Sequence, residues 1–70
     1  MYKVSRYVSV IEKNEVYALY CNFNLYFFKG ITYKWLKLIL NNDNTSEIDT
    51  TFIDYLVSKE IIYKEDEVYA

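Results

Sequence analysis

Seventy residues bound the chain to one small domain, which buries only roughly 60% of its unfolded surface. It offsets this by being 53% hydrophobic and 20% aromatic, and its single cysteine excludes an internal disulfide and points to a reducing compartment. The net charge of −2 argues against nucleic acid as the main partner, and the longest apolar stretch, Val16 to Cys21, is far too short to span a bilayer.

In chain order, residues 3–12 read as a first strand, because β-branched residues dominate it. Val4, Arg6, Val8 and Val10 fall on one face; Ser5, Tyr7, Ser9 and Ile11 fall on the other. Lys13-Asn14-Glu15 is a polar turn, since Asn14 tolerates a left-handed backbone. Val16–Tyr20 is the second and central strand. Asn22 and Asn24 bracket another turn, and Leu25–Lys29 is the third strand. Six of the fourteen residues 16–29 are aromatic. On the third strand, Leu25 and Phe27 share one face while Tyr26 and Phe28 share the other, and either pair can pack under the helices.

Gly30 is the only glycine, and it separates sheet from helix. Thr32 is the expected N-cap of a helix over about 33–40, with Trp35, Leu36, Ile39 and Leu40 as its core stripe. Asn41–Asn44 ends this helix, and Thr45–Ile48 has room for one helical turn. Asp49 or Thr50 caps a last helix over about 51–59, whose stripe is Phe52, Ile53, Leu56 and Val57. Ile61-Ile62-Tyr63 returns to the core as a short extended segment. Residues 65–70 are a flexible acidic tail on a domain of residues 1–64. The expected fold is α+β and winged-helix-like: a three-stranded antiparallel sheet followed by two or three helices on one face.

Catalytic chemistry has little to stand on. The chain has no histidine, so Cys21 lacks the partner for Cys–His catalysis or a mixed zinc site and reads as a small strand residue. A single glycine excludes Gly-rich phosphate loops. Glu65, Asp66 and Glu67 lack the spacing of a calcium loop. The reading is a non-enzyme without cofactors or metals. With Lys3 and Arg6 followed by no apolar segment of signal-peptide length, it is also soluble and cytoplasmic.

Three groups of residues together resemble the PqqD-like family, the precursor-peptide recognition elements of ribosomal peptide natural-product pathways. They are Val16-Tyr17-Ala18-Leu19-Tyr20 with the aromatic strand ending at Phe28, Gly30-Ile31-Thr32 leading into Trp35-Leu36-Lys37-Leu38-Ile39, and residues 52–62. The pattern covers nearly the whole chain. It departs from the family in the few residues between Leu40 and Thr50, where a middle helix is cut to a turn or lost, and in Glu60, where glycine is common. The resemblance implies that a leader peptide adds as an extra strand beside the third strand, in a cleft against the last helix. The peptide is thereby presented to a modifying enzyme, a radical enzyme, cyclase or protease. Carried onto this chain, the peptide-binding residues are Leu25, Tyr26, Phe27, Phe28, Lys29, Phe52, Tyr55 and Lys59.

The charge is split: residues 1–37 carry six basic and two acidic groups, and residues 38–70 two basic and eight acidic. Two readings stay open for Lys29 and Lys34: they attract an acidic leader, or they are ordinary surface lysines without a role. Two other function classes compete. A winged-helix DNA binder needs a basic recognition helix, and the last helix offers Lys59 against Asp54 and Glu60. A phage-type inhibitor or a homodimer would use the acidic face of residues 43–67, or pair edge strands.

Overall fold

The computed structural model describes residues 2–64, so the expected acidic tail and its Glu65-Asp66-Glu67 group lie outside the described residues. Seven elements follow one another: β1 (Tyr2–Val4), β2 (Ser9–Lys13), β3 (Val16–Cys21), β4 (Asn24–Lys29), α1 (Ile31–Leu40), α2 (Thr50–Ser58) and β5 (Ile62–Lys64). The class is α+β. β2, β3 and β4 form a three-stranded antiparallel meander, and β1 pairs antiparallel with β5 in a second, two-stranded sheet. No helix among the described residues is long and apolar enough to cross a membrane.

Both hairpins of the meander close on two-residue turns. Asn14 and Glu15 have φ of 53° and 60°, and Asn22 and Phe23 have φ of 52° and 65°. Two successive left-handed residues make a type I′ turn, whose twist matches that of the flanking strands. Tight turns fix the register: Lys13 opposes Val16, and Cys21 opposes Asn24.

The expected first strand is two strands. Ser5 breaks it: its backbone N–H donates to Ile61 O at 2.9 Å, its carbonyl accepts from Val8 N at 3.1 Å, and its hydroxyl accepts from Tyr7 N at 3.3 Å. A serine that bonds its own neighbourhood offers the chain a turn in place of a ladder. The chain turns at Arg6-Tyr7 and leaves one sheet for the other, so the two-face alternation expected across residues 4–11 does not hold.

Both helix starts have clear causes. Gly30, with φ of 66°, is the N-cap residue of α1, and helix begins at Ile31. Thr32 is therefore inside the first turn and not at the cap; its hydroxyl donates to Lys29 O at 2.8 Å. Asp49 caps α2 as expected, accepting from Thr51 N at 2.9 Å. Between the helices, residues 43–49 make turns and no third helix.

Both helices end in Schellman motifs. At α1, Asn42 N donates to Ile39 O and Asp43 N to Leu38 O. At α2, Glu60 N donates to Val57 O at 2.9 Å and Ile61 N to Leu56 O at 3.0 Å, while Ile61 and Leu56 are both fully buried. Glu60 thus occupies the left-handed position, φ 63°, that suits glycine. Glu60→Gly should raise stability by about 0.5–1 kcal/mol, less than the full left-handed penalty because glycine frees the unfolded chain. A urea unfolding midpoint that falls would contradict this backbone geometry.

Helices pack on one face of the meander. The core joins Tyr17, Leu19 and Phe28 of the sheet to Tyr33, Leu36 and Ile39 of α1, Ile53 and Leu56 of α2, and Ile48, Ile61 and Ile62. The α1 stripe includes Tyr33, with Trp35 and Leu40 only partly buried, and Val57 of α2 is exposed. Cys21 is buried in β3, its thiol facing Glu60 O at 4.0 Å.

Candidate functional site

β4 is an edge strand. In a two-residue hairpin the residues flanking the turn form a hydrogen-bonded pair, and such pairs then alternate. Cys21–Asn24, Leu19–Tyr26 and Tyr17–Phe28 are therefore the bonded pairs of β3 and β4. The N–H and C=O groups of Leu25, Phe27 and Lys29 point the other way, toward the open edge. The Lys29 carbonyl is taken by Thr32. Among the described residues, Leu25 and Phe27 have no strand beside them on that side.

β2 is the other edge, and it differs. Its outward backbone belongs to Val10 and Glu12, and the strand ends in a Glu-Lys pair, a charged edge of the kind that resists strand pairing. Residues 25–28 of β4 carry no charge.

The eight residues expected to bind peptide divide between two faces. Tyr26 and Phe28 face the helices. Phe28 meets Phe52 edge-on with centroids 5.7 Å apart, and Tyr26 meets Tyr55 edge-on at 6.5 Å. Lys59 Nζ lies 5.8 Å from the Tyr55 ring centroid, a cation–π arrangement at the rim. Phe28 is core at 7% exposure, whereas Tyr55 and Lys59 are open to solvent. Leu25, Phe27 and Lys29 face away from the helices and are exposed. The open backbone edge thus runs between an inner aromatic seam, Tyr26–Tyr55–Lys59, and an outer apolar face.

The space between β4 and α2 is filled by these rings. Two concave regions lie along α1: one of about 380 Å³ lined by Lys34, Lys37, Leu38, Asn41, Asp43 and Glu47, and one of about 240 Å³ lined by Tyr2, Ile39 and residues 42–45. Among the described residues no three His, Cys, Asp or Glu side chains come together as metal ligands would.

A second polar feature was not anticipated from sequence. Tyr33 of α1 donates its hydroxyl hydrogen bond to Glu12 Oε2 on β2, and its ring stacks on Tyr17 at 4.8 Å. Lys37 Nζ lies 5.7 Å from the Tyr33 ring centroid. The cross-strand pair Glu12–Tyr17 was the readable signal, since hairpin arithmetic places the two opposite each other. The bond to Glu12, with burial adding to it, pushes the Tyr33 hydroxyl up to about 12; burial and then the Glu12 charge raise Tyr17.

A tyrosine whose folded pKa exceeds its unfolded value of about 10 contributes stability that is whole below about pH 10 and lost as pH rises toward about 12. Tyr33→Phe should lower stability at neutral pH and make its decline between about pH 10 and 12 shallower. Urea midpoints across that range would check this; an alkaline decline unchanged in the variant would contradict it.

Comparison with protein-family models, with curated proteins and with solved structures finds no match to this chain.

Proposed function

We propose that this domain binds an extended peptide by adding it as a fourth strand beyond β4, and that it performs no chemistry itself. The observation that carries this reading is the uncharged open edge of β4, where Leu25 and Phe27 present outward N–H and C=O groups. Strand addition draws affinity from main-chain hydrogen bonds and specificity from alternate side chains. Such a strand would set one row of side chains toward Tyr55 and Lys59 and the other toward the outer face beside Phe27. Together with the resemblance of the sequence to PqqD-like domains, this supports a precursor's leader peptide as the ligand, held for a modifying enzyme.

A duplex-DNA reading has less support. α2 presents Asp54, and Glu60 follows it, beside a single lysine, Lys59. Short peptides encoded beside the gene are the candidates to titrate into the isotope-labelled domain. The expected result is slowed amide exchange and shifted resonances at Leu25 and Phe27. Binding that spares both residues, or no binding by any such peptide, would overturn the proposal.

A further inference from the structure

Among the described residues no helix lies over the outer face of the meander. Register places its side chains in three rows: Lys13–Val16–Lys29, Ile11–Ala18–Phe27 and Ser9–Tyr20–Leu25. Ile11 is 65% and Phe27 64% exposed, Tyr20 and Leu25 are about half exposed, and Phe23 stands beyond the third row at the hairpin tip, 92% exposed. The three aromatics alone leave on the order of 400 Å² in water. With Ile11 and Leu25 the patch exceeds what monomers usually show as one surface.

We propose that a second copy of this chain packs on this face, forming a symmetric sandwich of two three-stranded sheets. The charge pattern singles out a copy of the same surface. Lysines occupy only one end of the face, Lys13 and Lys29, and aromatic rings occupy the other, Tyr20 and Phe23. A two-fold axis in the sheet plane and perpendicular to the strands lays each lysine end over the partner's aromatic end. On this register Lys13 comes over the second copy's Ser9 and Lys29 over its Leu25, with Tyr20 over Val16, so the ammonium groups lie beside the aromatic end and not over one another. An axis parallel to the strands would stack four lysines together, so the two-fold packing is defined.

The middle row lies on that axis. Ala18 is small and sits between the larger Ile11 and Phe27, so the two sheets can approach to about 10 Å at the centre. Area agrees as well. The exposed apolar side chains and the lysine stems amount to roughly 700 Å² per copy, near the about 800 Å² that a stable interface takes from each partner. This packing leaves the outward backbone of β4 free, and it shares with an added strand only the rim of the face beside Leu25 and Phe27.

Sedimentation velocity over a range of concentrations tests it on the whole chain. The expected result is a reversible dimer of twice the 8.5 kDa chain mass. Ile11→Lys should weaken it roughly a hundredfold, since the change acts twice in a symmetric interface. Tyr20→Lys is the second variant, and far-ultraviolet circular dichroism checks that each still folds. A wild type that stays monomeric overturns the proposal. So does a dimer that survives both substitutions, which would be formed by strand edges. A monomer that binds a single-stranded oligonucleotide would assign the face to base stacking, and that also overturns it.

Discussion

At concentrations low enough to keep the chain monomeric, Phe28→Ala should destabilise the domain by about 3–5 kcal/mol, while Phe27→Ala, one residue away on the same strand, should change stability by less than about 1 kcal/mol. Phe28 is 7% exposed, opposes Tyr17 across the ladder and meets Phe52 edge-on, so it joins β4 to α2 through the core. Removing its ring takes away transfer energy and leaves a cavity that two layers cannot both collapse into. A domain of this length holds about 4–10 kcal/mol in all. Phe28→Ala therefore removes a large share, and Phe28→Asp, which would bury an unpaired charge as well, should not fold. Thermal unfolding checks the pair: a fall of more than about 10 °C for Phe28→Ala and little change for Phe27→Ala. Equal shifts would mean that β4 does not present Phe28 to the helices. Phe28 thus supports the edge from beneath, with its ring buried against Phe52.

The sequence carried much of this arrangement. Asn14 and Asn22 marked the two hairpins, Gly30 the passage to helix, Asp49 the second cap, and Leu25–Lys29 the sheet edge. The break in the first strand was hidden because it depends on Ser5 bonding to Ile61, a contact between residues far apart in the chain. Which face of β4 goes inside was also undecided locally. Alternation defines two faces, and only the helices choose between them. Two-residue hairpin arithmetic would already have grouped Tyr26 and Phe28 with Leu19 and Tyr17, and Leu25 and Phe27 with Tyr20 and Ala18. That grouping separates the candidate site into a seam that packs and a face that does not. It also brings Ile11 and Tyr20 beside Phe27, a neighbourhood that the third strand alone could not reveal.

Phe27→Pro should abolish peptide binding and leave the domain folded, whereas Tyr26→Pro should cost about 3 kcal/mol or more in stability. The difference lies in where each N–H points. Tyr26 forms a bonded pair with Leu19, so proline there deletes a ladder hydrogen bond and its ring intrudes on β3. The N–H of Phe27 points to the open edge, and proline is tolerated on edge strands at such positions. Proline at 27 also removes an aromatic side chain from the outer face, and Phe27→Ala separates the two effects, because alanine keeps the N–H. If the ligand pairs with the backbone, Phe27→Ala should bind within about tenfold of wild type while Phe27→Pro shows no binding. Calorimetric titration with the same peptide decides it. Loss of binding in both variants would shift the recognition from the strand's main chain to the Phe27 ring, and β4 would then be a side-chain surface and not a template for a fourth strand.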